Sequence, residues 1–242
     1  MKIGINSYAV DNDLDYIQQL YDEKNISQYE CSKYSYLSHP KKVQNFKVPC
    51  SCLSSVIVGK YNLHSASDRK AFEKELLESI EIAKSLHTDK LMFGLKTLRD
   101  TYPVASYYEH LLALAQEQGV KLMYEVISDS DVFGSYNELI DFTLSNNLGY
   151  MHVDIGSLQD EAKLVGADVT SYFNQLADVT QDLHIELINC HYPVIADLKF
   201  LKEHKSDLPQ ISFENYTKLN KKEVASWLIK IKSALLELGS TD

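Results

Sequence analysis

Four side chains in this 242-residue sequence could together do chemistry, because each one ends a short apolar run. They are Glu125, Asp154, His191 and Glu214. Three carboxylates and one imidazole are ligand types that suit a hard divalent cation. If the four runs are neighbouring parallel strands, their carboxyl ends meet, and the sequence predicts one metal site with these four ligands.

The runs that must position these residues are short and rich in Ile, Val, Leu, Met and Tyr. They mostly lack strict polar–apolar alternation, which is typical of parallel strands that are covered on both faces. Eight strands are predicted: Lys2–Asn6, Gln28–Cys31, Val48–Ser54, Lys90–Gly94, Val120–Glu125, Tyr150–Asp154, His184–Cys190 and Ile211–Phe213.

Helical patterns lie between the strands. The clearest is Asp68–His87, where apolar residues recur every three or four positions and Ser67 or Asp68 is the expected N-cap. The segment His39–Phe46 has room for two turns at most. The other predicted helices are Leu14–Glu23, Tyr107–Gln118, Ser135–Asn146, Val169–Val179, Val194–Glu203 and Lys221–Leu238.

A strand–helix unit repeated eight times predicts a (β/α)₈ TIM barrel, in which functional residues lie at the carboxyl ends of the strands. An open doubly wound sheet is the rival fold. No Gly-x-Gly-x-x-Gly follows the first strand, and the candidate ligands fall on strands five to eight, which favours the barrel. No linker or shift in composition divides the chain, so residues 1–242 are predicted to form a single domain.

Charge and composition limit the partners. The net charge of −10 disfavours nucleic acid, which needs a basic surface to displace phosphate counterions. No apolar run approaches the ~18 residues of a membrane-spanning helix, and no membrane partner is expected. The four cysteines are expected to be reduced core thiols, which favours a cytoplasmic setting. The sequence leaves the oligomeric state open, and a homo-oligomer is compatible with it.

A set of motifs resembles a known superfamily. The ordered set resembles the xylose isomerase-like TIM-barrel superfamily of sugar and sugar-phosphate isomerases and epimerases, and it extends over almost the whole chain. The motifs are Met1-Lys-Ile-Gly-Ile-Asn, Tyr124-Glu125, His152-Val-Asp154-Ile-Gly, Asn189-Cys-His191 and Ile211-Ser-Phe-Glu214-Asn-Tyr.

The resemblance implies roles for residues of this chain. It makes Glu125, Asp154, His191 and Glu214 metal ligands, and it makes Glu125 and Glu214 the acid and base. Two positions depart from the family pattern: Ser157 replaces a common histidine, and Tyr192-Pro193 replaces a Lys or Arg. These departures point to a different substrate or to lost activity.

The expected reaction is proton transfer next to a carbonyl. A divalent ion that binds the carbonyl and hydroxyl oxygens of a sugar stabilises the enediolate formed when the α-proton leaves. Oxygen-rich ligation favours Mn²⁺ or Mg²⁺, and one histidine also admits Co²⁺ or Zn²⁺. Three further residues near the expected mouth are candidates for substrate binding: His64, Lys96 and Ser157.

Each of these residues also has a structural explanation. Asp154 could cap a turn, His191 could be a hydrogen-bonded core histidine, and His64 could be a solvated loop residue. Glu30, which ends the second predicted strand, could support a ligand or form a buried salt bridge. Two other functions stay open: a degenerate barrel that binds a metabolite without turnover, and a metal-dependent endonuclease or phosphodiesterase.

Overall fold

The structure is a computed structural model that describes residues 2–55, 61–62, 64–93, 102–125, 150–164, 166–186, 210–214 and 219–237. Eight parallel strands form a closed barrel in the order of the sequence, which confirms the predicted (β/α)₈ fold. The strands are β1 (Lys2–Asn6), β2 (Gln28–Ser32), β3 (Cys50–Ser54), β4 (Lys90–Phe93), β5 (Lys121–Glu125), β6 (Tyr150–Asp154), β7 (Thr180–Glu186) and β8 (Gln210–Glu214).

The described helices follow the strands. They are α1 (Leu14–Asp22), α2 (Lys33–Ser38), α3 (Pro40–Gln44), α4 (Ala66–Ser85), α5 (Tyr102–Glu117), α6 (Ile155–Leu164), α7 (Val169–Leu176) and α8 (Lys221–Glu237), with a 3₁₀ turn at Ser7–Val10. Among the described residues, no helix has the length and apolar character needed to cross a bilayer. The helices predicted at Ser135–Asn146 and Val194–Glu203 lie outside the described residues.

The predicted elements differ from the structure in several places, including α4, α6 and β7. The N-cap of α4 is Ser65, whose hydroxyl accepts the Asp68 N–H, rather than Ser67 or Asp68. Helix α6 was not predicted, and it starts directly after β6. Strand β7 begins four residues before the predicted His184, because the buried polar residues Asp182 and His184 interrupt the apolar pattern that marked the other strands.

The chain divides into two compact units. Unit 1 comprises Met1–Ser51 and Asp182–Asp242, and unit 2 comprises Cys52–Gln181. The prediction that residues 1–242 form a single domain stays a prediction.

Strand residues of unit 1 divide into two sets, because successive side chains point to opposite faces of a sheet. One face is apolar and buried, with Ile5, Tyr29, Leu183, Ile185, Ile211 and Phe213. The other face is polar and equally buried, with Asn6, Gln28, Glu30, Asp182, His184, Gln210, Ser212 and Glu214. Polar groups are buried at a cost unless they are hydrogen-bonded, so this second face needs an internal network.

Gly4 on β1 leaves room for part of that network. The Gln28 Nε2 donates to the Gln210 Oε1 at 3.2 Å, joining the two strands on either side of β1. A Cβ added at Gly4 would lie 3.2 Å from the Gln28 Cγ, tighter than most such contacts. A glycine at this position therefore lets the two glutamines meet.

Unit 2 packs differently. Buried Cys52, Met92 and Met123 form an apolar cluster with the partly buried Tyr150 beside them. A second group of edge-on and tilted aromatic contacts joins the strands to α4 and α5, and its members are Phe72, Phe93, Tyr107, Tyr108 and Tyr124. Apolar and aromatic side chains therefore make up the two clusters at the core of this unit.

Candidate functional site

The polar face of unit 1 contains a row of three ionisable side chains, which we call the Glu30 row: Glu30, His184 and Glu214. Glu30 on β2 is fully buried, and its Oε2 lies 2.7 Å from the His184 Nε2. The other ring nitrogen, Nδ1, lies 3.1 Å from the Glu214 Oε2. One buried imidazole therefore joins two carboxylates from different strands.

The strands set this arrangement through their register. On the neighbouring strands β7 and β8, His184 pairs with Ser212 and Glu186 with Glu214. Glu214 is the last residue of β8 and keeps 7% exposure, whereas His184 is 1% exposed. The row therefore runs from a fully buried carboxylate to one at the carboxyl end of a strand, where barrel enzymes have their active sites.

The spacing at the outer end of the row fits a metal ion. Two ligand atoms that are each about 2.1 Å from one ion lie roughly 3 Å apart. The 3.1 Å between His184 Nδ1 and Glu214 Oε2 matches that separation.

A second polar group lies beside this row on the same face, and we call it the Asp182 cluster: Gln28, Asp182, Gln210 and Ser212. The Asp182 Oδ2 accepts from the Gln210 Nε2 at 2.5 Å and from the Ser212 hydroxyl at 3.3 Å. Its Oδ1 accepts from the Leu183 backbone N–H at 2.9 Å. These bonds satisfy a carboxylate that is fully buried.

In unit 2, two predicted ligands end neighbouring strands. Glu125 is the last residue of β5, and its Oε1 lies 3.9 Å from the Nε2 of the fully buried His152. Asp154 is the last residue of β6, and its Oδ1 accepts the Ser157 N–H at 2.6 Å. The capping role foreseen for Asp154 is therefore present, at the start of α6.

The other predicted site residues have mixed placements. His64 is exposed, and its backbone N–H donates to the Asn62 Oδ1 at 3.1 Å. Ser157 is partly buried in the first turn of α6. His191 and Lys96 lie outside the described residues.

Sequence reasoning missed His184 and His152 as candidate site residues. Both sit inside strands rather than at their ends, and only the strand ends were searched. The signal was present as a period of two: Asp182, His184 and Glu186 alternate along β7, as His152 and Asp154 do along β6. Polar residues at every second position of an otherwise apolar strand indicate one polar face.

The cysteines behave as core residues. Cys31, Cys50 and Cys52 are free thiols, and Cys190 lies outside the described residues. Burial raises the pKa of the Cys31 thiol to about 12, so it stays protonated at neutral pH. Cys31 points away from the Glu30 row, on the apolar face of β2.

Comparison with known proteins shows similarity in fold. No protein-family model and no curated protein matches the sequence. Among solved structures, an L-ribulose 3-epimerase superposes with a TM-score of 0.76 at 14% identity, over 98% of this chain and 95% of that one. The IolI protein with a bound zinc atom gives 0.74 at 15% identity, over 100% of both chains.

A third match is the probable 3-DHS dehydratase AsbF from Bacillus anthracis. It superposes with a TM-score of 0.74 at 10% identity, over 96% of this chain and 99% of that one. All three matches extend over nearly the full length of both chains. At these identities the similarity establishes the fold.

Proposed function

We propose that this chain, which has the xylose isomerase-like barrel fold, is a metal-dependent isomerase or epimerase of sugars or sugar phosphates. The observation that supports the proposal most is the Glu30 row, where an imidazole nitrogen and a carboxylate oxygen lie 3.1 Å apart at the end of β8. Such a pair can share one cation. The L-ribulose 3-epimerase similarity supports a small sugar as substrate.

Glu125, Asp154 and Glu214 are the proposed carboxylate ligands of the ion, and His184 is the described imidazole that lies beside Glu214. His191, the imidazole expected from the sequence, remains a prediction because it lies outside the described residues. When bound, a divalent ion supplies Lewis acidity that polarises a substrate carbonyl. Mn²⁺ is the ion that this oxygen-rich set favours, and Mg²⁺, Co²⁺ and Zn²⁺ are the alternatives.

Two glutamates would move the substrate protons. Glu125 and Glu214 are 8% and 7% exposed, so each carboxylate is shielded from bulk water and yet reaches the surface of its unit. One would take the proton next to the carbonyl and the other would return a proton. Ser157, His64 and Lys96 are the proposed contacts to substrate hydroxyl or phosphate groups.

A comparison of two carboxylate variants tests the proposal. Glu214→Gln keeps the shape of the side chain but removes the base, so turnover should fall by about 10²–10⁴-fold. Asp154→Asn should instead weaken metal binding, while the asparagine still caps α6. The measurement is turnover of ketoses and their phosphates by both variants across a Mn²⁺ titration.

Excess metal should restore much of the turnover of Asp154→Asn, because mass action refills a weakened site. It should not restore Glu214→Gln, which lacks the base. Equal rescue of both variants would refute the assigned roles. A wild-type protein that binds Mn²⁺ and a sugar but converts none would favour the non-catalytic, metabolite-binding barrel.

A further inference from the structure

The orientation of Asn6 fixes the first link of a hydrogen-bond chain. The Tyr8 backbone N–H lies 2.8 Å from the Asn6 Oδ1, and a backbone amide can only donate. The oxygen of the Asn6 side chain must therefore face Tyr8. Its Nδ2 then faces the Glu30 Oε1, to which it donates at 2.9 Å.

Glu30 forms the second link. A carboxylate accepts hydrogen bonds at both oxygens. Because Asn6 donates to Oε1, the Glu30 Oε2 accepts a hydrogen bond from an N–H of the His184 ring. That contact is the 2.7 Å separation between Oε2 and Nε2. Glu30 and His184 are 0% and 1% exposed, so the protein rather than solvent selects the tautomer.

The third link is the other ring nitrogen. A neutral imidazole with its proton on Nε2 has an electron pair on Nδ1. This nitrogen lies 3.1 Å from the Glu214 Oε2. In the neutral ring this electron pair faces the Glu214 carboxylate, an arrangement that a cation bound between the two groups would stabilise.

We propose that Glu30 is a positioning residue that holds His184 in its Nε2–H tautomer, so that Nδ1 can bind a divalent cation together with Glu214. The inference rests on the proposed function and extends it to a residue that touches neither metal nor substrate. Carboxylates that orient metal-binding histidines in this way typically change metal affinity by about 10–100-fold when they are removed.

Glu30→Gln is the decisive variant because the network dictates how the new amide must lie. Asn6 still donates, so the glutamine oxygen faces Asn6 and its NH₂ group faces His184. The Nε2 must then accept, which moves the ring proton to Nδ1. We expect the tautomer to reverse and Mn²⁺ affinity to fall about 10–100-fold.

The two readouts are independent of turnover. Nitrogen-15 NMR of ring-labelled histidine reports the tautomer in the metal-free protein, at a pH where the ring holds one proton. Calorimetric titration with Mn²⁺ reports affinity. Glu30→Asp is the conservative variant: it remains an acceptor, so the Nε2–H tautomer should persist even if the protein is less stable.

Asp182→Asn is the matched control. Asp182 is as buried as Glu30 and lies on the same face, but it accepts hydrogen bonds from Gln210, Ser212 and Leu183. This variant should leave the His184 tautomer and the Mn²⁺ affinity unchanged. Retention of Nε2–H in Glu30→Gln, or an equal loss of affinity in Asp182→Asn, would overturn the inference.

Failure of the proposed function would look different. A wild-type protein with the Nε2–H tautomer but no Mn²⁺ binding would overturn the metal site and, with it, the metal-directed role of Glu30. The tautomer assignment itself would stand in that case.

Discussion

The strands of unit 1 bury a polar face as well as an apolar one, whereas the central cluster of unit 2 is apolar. In unit 1, most of the buried polar residues on alternate strand positions belong to the Glu30 row or the Asp182 cluster. In unit 2, the cluster of Cys52, Met92 and Met123 is apolar, and described acidic groups appear at the ends of β5 and β6. The comparison separates a unit organised around hydrogen bonds from one organised around packing.

The difference shows where function constrains the sequence. A buried apolar cluster tolerates substitutions of similar volume, because dispersion and burial have no direction. A buried hydrogen-bond network tolerates few, because each lost partner leaves a polar atom unsatisfied. Mutations in the apolar cluster of Cys52, Met92 and Met123 should therefore change stability, and mutations along the Glu30 row should change chemistry.

The largest stability effect should come from Met123→Ala in unit 2. Met123 is fully buried, so the truncation should lower the free energy of unfolding by about 2–5 kcal/mol. Mn²⁺ affinity of the folded protein should stay unchanged. Urea denaturation and metal titration measure the two quantities, with Met123→Leu as a control that should cost less than about 1.5 kcal/mol. If Met123→Ala loses more free energy of Mn²⁺ binding than free energy of unfolding, the contrast between the two units is wrong.

Asp182→Ala tests the hydrogen-bonded unit and should have a smaller effect. It removes the acceptor of the Gln210 Nε2 and the Ser212 hydroxyl, both buried, which should cost about 1–3 kcal/mol in the free energy of unfolding. Asp182→Asn retains one acceptor oxygen and should cost less. If the two variants are equally stable in urea, hydrogen bonding is not what stabilises this face.

The smallest effect should come from the exposed side of unit 1. Asp13 caps α1, and its Oδ2 lies 2.5 Å from the Lys221 Nζ. The contact with Lys221 holds the pKa of the Asp13 carboxyl below its ordinary value of 3.8. Burial opposes this lowering of the pKa, and the hydrogen bond from the Tyr16 N–H adds to it. A lowered pKa in the folded state stabilises the protein above the unfolded pKa, and this stabilisation is lost as pH falls through the folded pKa.

Asp13→Asn keeps the cap and removes the charge, so at pH 7 it should cost less than about 1 kcal/mol. The difference in the free energy of unfolding between Asp13→Asn and the wild type should decrease as the pH falls below 3.8, and it should also decrease in high salt. Urea denaturation at pH 7 and pH 3 measures it. If the two proteins differ in stability by the same amount at both pH values, the charge of Asp13 does not contribute to the difference.

Much of the fold could be predicted from the sequence because the signals are local. Strands β1 and β6 have the predicted bounds, and the left-handed conformation of Gly119 agrees with its place after α5. Strand β7 was misplaced because its first residues are mostly polar, whereas the other strands were identified from apolar runs. The apolar residues that follow were therefore taken as the strand.

The site was less predictable because it depends on pairing between distant strands. Glu30 and His184 are 154 positions apart in the sequence, and they come into contact only because their strands belong to one closed barrel. Glu30 was considered from the sequence as either a supporting partner or a salt bridge, and the contact with His184 fits both descriptions. Asp154 likewise remains a proposed ligand and is also a helix cap.

Gly4 has a consequence for how this protein can change over evolutionary time. While Gln28 and Gln210 meet across β1, a side chain at position 4 would be crowded by the Gln28 stem. A substitution there requires the Gln28 side chain to shift by a few tenths of an ångström, and altering one glutamine alone removes a hydrogen bond from the other. The effects of substitutions at positions 4, 28 and 210 should therefore depend on one another.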